Sequence, residues 1–240
     1  MVNNLMREPL SYQAGGVTCI GQLIWDANVT TPRPGVLVAP AFGGLGPFEI
    51  EQAEQLAALG YVALAVDYYG DGQRVETMQE SSALMQALMA QRPALAHRMN
   101  AALSALKSQA QVDPDRTAAI GYCLGGKAVL DLARSGADLC GVVPIHGVFD
   151  RPPGEARAMI ASVLALHGWA DPLATPDQLV ALTQELDAVC EDWQVLAFGK
   201  TGHSFTNPHA NDPERGLAYD DRSNRRAWAA LTAFLAEKLT

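Results

Sequence analysis

The 240-residue chain is poor in cysteine, in basic residues and in long apolar runs. Four cysteines are too few for a disulfide-stabilised scaffold and predict free thiols in a reducing compartment. Seventeen Lys and Arg against 26 Asp and Glu give a charge of −9, which disfavours nucleic acid and anionic membranes as partners. No secretory leader and no run of about 18 apolar residues is visible. We therefore expect a cytoplasmic protein without a membrane span.

Hydrophobic residues make up 49% of the chain and charged residues 18%, which predicts a folded chain with a large core. The length fits one domain over residues 1–240. Short apolar runs alternate with segments of helical spacing, and these runs lie at 36–42, 61–69, 117–123, 139–147, 162–168 and 193–199. Such alternation predicts an α/β fold, with a mostly parallel central sheet and helices on both faces.

Three further segments refine this prediction. Residues 17–25 have the alternation of a half-buried opening strand, and residues 76–110 predict two helices interrupted at Pro93. The C-terminal segment carries apolar residues at helical spacing and predicts a docked helix. Because ligands bind beyond the carboxyl ends of parallel strands, the loops after the strands are the places to search for a site.

The loop after the predicted strand 117–123 has the pattern G-x-C-x-G. It reads Gly121-Tyr122-Cys123-Leu124-Gly125-Gly126. A nucleophile on a tight turn between a strand and a helix needs neighbours without side chains, because the two backbones approach closely there. The positive end of the following helix favours a thiolate. This pattern predicts Cys123 as a nucleophile; the alternative is an inert buried thiol.

A nucleophilic cysteine needs a base, and the base needs an orienting acid. Asp171 follows the strand 162–168, and His203 follows a glycine in a loop after the last strand, which we expect to be flexible. The chain order nucleophile, acid, histidine is the one found in this strand–turn–helix architecture. We predict the triad Cys123, Asp171 and His203, against the alternative that Asp171 is only a turn residue before Pro172.

A hydrolase of this kind must also stabilise an oxyanion. The expected donors are the backbone N–H groups of Leu124, the residue after the nucleophile, and Phe42, in the loop after the strand 36–42. Both are backbone groups, so the identity of the side chains says little about them.

Three segments of the chain resemble the dienelactone hydrolase (carboxymethylenebutenolidase) family. They are GYCLGG at 121–126, LGYVALAVDYYGDG at 59–72 and GHSFTNP at 202–208. The resemblance runs from about residue 17 to residue 239. It implies a single-domain α/β-hydrolase fold and a cysteine hydrolase, and the triad of the family carries over onto Cys123, Asp171 and His203.

The chain departs from the family's lactone hydrolases at two positions. Ala41 stands where a glutamate hydrogen-bonds the resting thiol, although Glu49 and Glu51 follow nearby. Asn207 stands where an arginine grips the substrate carboxylate, and Arg74 is the candidate for a second substrate-binding arginine. We therefore expect a thiolate–imidazolium pair between Cys123 and His203, and a neutral small ester or lactone as substrate.

Other residues near the triad are candidates for binding this substrate. They are Ala41, Phe42, Tyr122, Trp169, Phe205 and Asn207. His146 and His167 also end strands and could line the site, but we interpret them as core or loop histidines, and we assign the remaining three cysteines to core packing.

No metal motif occurs and no cofactor is implied. Two alternative functions stay open: a thioester-processing or acyl-transfer enzyme with the same triad, and a non-catalytic binding protein on a hydrolase scaffold. The oligomeric state also stays open.

Overall fold

The computed structural model describes residues 4–73, 75, 77–154 and 157–240. These residues form ten strands: β1 (Leu5–Ala14), β2 (Val17–Asp26), β3 (Arg33–Ala39), β4 (Val62–Ala65), β5 (Val112–Tyr122), β6 (Gly141–Ile145), β7 (Ser162–Gly168), β8 (Trp193–Phe198), β9 (Asn211–Asp212) and β10 (Leu217–Ala218). Six α-helices accompany them: α1 (Pro47–Ala58), α2 (Met78–Met89), α3 (Arg92–Lys107), α4 (Leu124–Arg134), α5 (Pro176–Val189) and α6 (Asp221–Lys238).

Eight strands form one sheet in the order β1-β2-β4-β3-β5-β6-β7-β8. The six strands from β4 to β8 are parallel, whereas β1 and β2 run antiparallel at one edge. The short strands β9 and β10 form a separate hairpin. The mostly parallel α/β fold predicted from the alternating pattern is therefore confirmed.

Both faces of the sheet are covered, which explains why its central strands are continuous apolar runs. One face packs on α3, α4 and α5, with Leu106, Leu132 and Leu182 among the buried residues. The other face packs on α1 and α6, through residues such as Leu56 and Leu231. None of the helices in the described part of the chain is long and apolar enough to cross a bilayer.

The sequence analysis missed one strand of the main sheet. β1 is an edge strand with mostly exposed side chains, and it contains Pro9, so it lacks the apolar run by which the other strands were found. The predicted interruption between two helices near Pro93 is present. Pro93 itself lies in the first turn of α3, where proline is tolerated.

The chain passes from β3 to β4 on one side and returns to β5 on the other side of β3. The strand order therefore changes direction between β3 and β5, and the loops after these two strands flank this switch point. Such switch points are where α/β proteins bind ligands. The loops after β6, β7 and β8 follow along the same edge. This order brings the predicted site residues to one end of the sheet.

Candidate active site

Cys123 occupies a strained turn between β5 and α4. Its backbone has φ of 56° and ψ of −113°, a combination that costs a non-glycine residue about 1–3 kcal/mol. The turn is held because Cys123 donates its N–H to the carbonyl of Ile145 on β6, at 3.1 Å. Its thiol is half-buried, at the N-terminus of α4. The predicted turn geometry is therefore present.

The glycines around Cys123 are needed because backbones touch there. A Cβ on Gly121 would overlap the carbonyl of Gly125, and a Cβ on Gly125 would overlap the carbonyl of Ala39 on β3. A Cβ on Gly126 would meet the Cα of Gly147. The spacing of the glycines thus follows from the close approach of α4 to β3 and β6.

Asp171 lies in the loop after β7 with its carboxylate buried. One oxygen, Oδ1, accepts the backbone N–H groups of Leu173 at 2.8 Å and Ala174 at 3.3 Å. The other, Oδ2, lies 2.7 Å from Nδ1 of His203. The turn role and the partnership with histidine, which the sequence analysis treated as alternatives, therefore occur together.

His203 lies on a loop that is tied on both sides. Its N–H donates to the carbonyl of Gly216 at 2.7 Å, and its carbonyl accepts the N–H of Ala218 at 3.2 Å. A Cβ on Gly202 would overlap the carbonyl of Gly216, which explains the glycine before the histidine. Our expectation of a flexible loop is wrong, because the β10 segment holds it in place.

The surroundings of His203 favour its charged form. Burial disfavours the imidazolium, but the hydrogen bond to Asp171 and the interaction with Cys123 outweigh burial and raise the pKa of His203 to about 10. Nε2 of His203 makes no hydrogen bond of standard geometry within the described part of the chain. Such contacts are often long before substrate binds.

Two backbone N–H groups near the nucleophile are unused. Among the described residues, neither Leu124 nor Phe42 donates its N–H to any acceptor. Leu124 is the first residue of α4, so its N–H also lies at the positive end of the helix dipole. The loops after β3 and β5 thus carry the two donors that an oxyanion would need.

A buried carboxylate that the sequence analysis mentioned only in passing lies beside Ala41. Glu49, in the first turn of α1, is 4% exposed. Its oxygens accept the N–H of Ala41 at 3.2 Å and that of Gly46 at 3.0 Å. A glutamate three residues into a helix was the available signal, since such a residue often reaches back to cap its own helix.

The histidines that end β6 and β7 both lie behind His203. His146 has φ of 39°, and its ring contacts the ring of His203 at a centroid distance of 4.9 Å. Its Nε2 lies 2.9 Å from the hydroxyl of Thr206. Burial lowers the pKa of both His146 and His167, which favours the neutral imidazole at each position.

Two residues predicted to bind substrate are buried in the core. Phe205 is fully buried against His146 and Phe198. Tyr122 is 2% exposed, packs on Phe48 and points its hydroxyl at Gln52, at 2.9 Å. In this structure both side chains contact protein groups, and their role in substrate binding stays a prediction.

The other predicted binding residues in the described part of the chain are exposed or half-buried. Trp169 is 48% exposed on the loop that bears Asp171. Asn207 is half-buried, and its side-chain oxygen accepts the N–H of His209 at 3.0 Å. Phe42 is half-buried, and Arg74 lies outside the described residues.

The remaining thiols lie away from this site. Cys19 and Cys190 are buried and Cys140 is half-buried, and all are free. Within residues 4–73, 75, 77–154 and 157–240, no group of three or more His, Cys, Asp or Glu side chains is placed to hold a metal.

Comparison with known proteins identifies the family of the chain. The model of the dienelactone hydrolase family matches residues 21–239. A solved structure of a promiscuous phosphotriesterase, described as dienelactone hydrolase-like and obtained from metagenomic libraries, is 38% identical to this chain, with a TM-score of 0.93. The match covers 98% of this chain and 99% of that one.

Two curated relatives are more distant. A probable 2-oxo-3-(5-oxofuran-2-ylidene)propanoate lactonase of Bradyrhizobium is 25% identical over 79% of this chain and 80% of its own. An uncharacterised protein of Caenorhabditis elegans is 35% identical over 58% of this chain and 91% of its own. With the family model matching nearly the whole chain, this protein belongs to the dienelactone hydrolase family and is a carboxylic ester hydrolase of the α/β-hydrolase fold.

Proposed function

We propose that the chain is a cysteine hydrolase that cleaves small, neutral carboxylic esters or lactones through Cys123, His203 and Asp171. One observation carries the proposal: the 2.7 Å contact between Asp171 and His203 lies at the same edge of the sheet as the strained Cys123 turn. A binding protein needs no such alignment, so the non-catalytic alternative loses its support.

In the first step, the sulfur of Cys123 attacks the carbonyl carbon and a C–S bond forms. The carbonyl oxygen gains the negative charge and is held by the N–H groups of Leu124 and Phe42. The C–O bond of the ester then breaks as the intermediate collapses. Nε2 of His203 gives its proton to the departing alkoxide, which leaves as an alcohol and produces a thioester on Cys123.

In the second step, water attacks this thioester. His203, now neutral, takes a proton from the water, and a second oxyanion forms in the same position. Collapse breaks the C–S bond, so the acid product leaves and the proton on His203 again faces the thiolate of Cys123. Asp171 holds Nδ1–H of His203 throughout and fixes which nitrogen faces the sulfur.

The preference for neutral substrates follows from charge. Asn207 offers an amide where a carboxylate-binding arginine stands in related lactone hydrolases, and the chain carries a charge of −9. A carboxylate substrate would meet no compensating cation at that position. We therefore expect uncharged esters and lactones to be hydrolysed faster than anionic dienelactones.

The test is hydrolysis of a panel of p-nitrophenyl esters and simple lactones. We expect Cys123→Ala to lower kcat by about 10³-fold or more. Cys140→Ala, which removes another half-buried thiol, is the matched control and should keep full activity. Equal activity in wild type and Cys123→Ala would rule out the cysteine mechanism.

Two further substrate classes belong in the same panel. Thioesters present the same carbonyl to the same nucleophile, so faster turnover of thioesters than of esters would favour the acyl-transfer alternative. Neutral phosphotriesters are the second candidate, because the similar structure with 38% identity is described as a promiscuous phosphotriesterase. Loss of both activities in Cys123→Ala would assign them to one nucleophile.

A further inference from the structure

The loop after β3, which carries the N–H of Phe42, is held by two tyrosine hydroxyls. The Tyr68 hydroxyl lies 2.6 Å from the carbonyl of Pro40 and 3.0 Å from that of Ala41, so its proton is shared between them. The Tyr69 hydroxyl donates to the carbonyl of Phe42 at 2.8 Å. Three consecutive carbonyl groups of this loop are therefore bound by side chains from the neighbouring strand end.

Glu49 holds the same loop by accepting hydrogen bonds from N–H groups of that loop. Its carboxylate accepts the N–H of Ala41 at 3.2 Å and that of Gly46 at 3.0 Å. The peptide groups on both sides of the Phe42 N–H are thus fixed. Among the described residues that N–H donates to nothing, so it is one of the donors that the loop leaves available.

The two tyrosines are themselves fixed. Asp67, buried at the end of β4, accepts the N–H groups of Tyr69 at 3.0 Å and Gly70 at 2.8 Å. Arg98 on α3 donates to the carbonyls of Tyr68 at 2.6 Å and Tyr69 at 3.0 Å. A rigid segment therefore presents both hydroxyls to the loop.

The hydroxyls stay protonated, as donors must. Tyr68 is fully buried and Tyr69 is 7% exposed. Burial, followed by smaller contributions that include Cys123, raises the pKa of each phenol. Both groups therefore donate across the pH range in which the enzyme would be assayed.

We propose that Tyr69, Tyr68 and Glu49 are positioning residues, which hold the Phe42 N–H where the oxyanion forms. This inference rests on the proposed cysteine mechanism and assigns three side chains to it. A donor helps only if it already points at the developing charge, and a displacement of about 1 Å costs up to about 100-fold in rate.

The test separates an effect on oxyanion stabilisation from an effect on the reactivity of the nucleophile. Hydrolysis of p-nitrophenyl acetate forms an oxyanion, whereas alkylation of Cys123 by iodoacetamide needs the thiolate and no oxyanion. Both rates are measured in wild type, Tyr69→Phe, Tyr68→Phe and the double variant. Tyr61→Phe, at the opposite end of the β4 segment, is the matched control.

We expect kcat to fall about tenfold in each single variant and about 100-fold in the double variant. KM, the alkylation rate and the activity of Tyr61→Phe should stay within about twofold. A kcat within twofold of wild type in both single variants overturns the inference, and so does an equal fall of kcat and alkylation. If one single variant does not fold, the other carries the same test.

Glu49 is tested by rescue. Glu49→Ala removes both acceptors of the loop, whereas Glu49→Gln keeps one carbonyl oxygen for Ala41 or Gly46. We expect Glu49→Gln to recover most of the kcat lost in Glu49→Ala at an unchanged alkylation rate. Equal kcat in the two variants contradicts the role of Glu49. Full activity in Cys123→Ala would instead overturn the proposed function itself, so the two failures are distinguishable.

Discussion

The two halves of the candidate site are built in different ways. The acid–base half, after β7 and β8, consists of side chains, with Asp171 bound directly to His203. The oxyanion half, after β3 and β5, consists of backbone N–H groups whose places are set by Tyr68, Tyr69 and Glu49.

This difference decides which substitutions matter in each half. In the acid–base half, the reacting groups themselves can be replaced. In the oxyanion half, the reacting N–H groups survive any substitution except proline, so only the residues that hold them can be changed. The following experiments contrast the two halves, from the largest expected effect to the smallest.

Asp171→Asn should have the largest effect. Its Oδ1 can still accept the N–H groups of Leu173 and Ala174, but its amide donates to His203 and favours the wrong tautomer. We expect kcat to fall about 10⁴-fold with little change in melting temperature. Asp26→Asn, which alters a similar turn far from the site, is the control. A loss below tenfold would contradict the role of Asp171.

Gly125→Ala should damage both halves at once. The new Cβ would overlap the carbonyl of Ala39, so α4 must move away from β3 and carry Cys123 and Leu124 with it. We expect about 3 kcal/mol of destabilisation or a failure to fold, measured by urea unfolding. Gly199→Ala, where a Cβ meets nothing within 4 Å, should be silent. Wild-type stability in Gly125→Ala would show that the turn tolerates a side chain.

The pH dependence should report the acid–base half alone. His203, whose pKa is raised to about 10, is protonated below that pH and loses its proton above it. For an alkyl ester, whose leaving group needs this proton, kcat/KM should fall as the pH rises through about 10. A p-nitrophenyl ester, whose leaving group needs no proton, should show a weaker fall. A decline for alkyl esters centred near pH 7 would contradict the charged pair.

Tyr122→Phe should have the smallest effect. Its hydroxyl bonds to Gln52 and touches neither half of the site. We expect a loss of about 1 kcal/mol in unfolding free energy and a kcat within twofold of wild type. The same substitution at Tyr69 should lower kcat about tenfold. Equal effects on kcat at the two positions would contradict a specific role of Tyr69 in the oxyanion half.

The turn of Cys123 and the acid–base half were predictable from the sequence because their residues stand in short patterns at strand ends. Cys123 is flanked by glycines that the close backbones require, and His203 follows a glycine for the same reason. The parallel sheet was predictable because buried strands are continuous apolar runs. The edge strand β1 was not, since most of its side chains are exposed and it lacks an apolar run.

The oxyanion half was predictable only as a pair of backbone positions. Hydrogen bonds from Tyr68, Tyr69 and Glu49 to the backbone have no periodic pattern, because they depend on how two strand ends meet. The burial of Tyr122 and Phe205 was not predictable for a related reason. Closeness to Cys123 or His203 along the chain does not decide which side of the sheet a side chain occupies, and both point into the core.

Mass spectrometry of the acylated enzyme tests the central claim most directly. The enzyme is mixed with excess p-nitrophenyl acetate, quenched in acid within the first turnovers and digested. The account predicts one added acetyl group, located on Cys123 and absent from Cys123→Ala. An acetyl group on another residue during turnover, or the same adduct in Cys123→Ala, would contradict it.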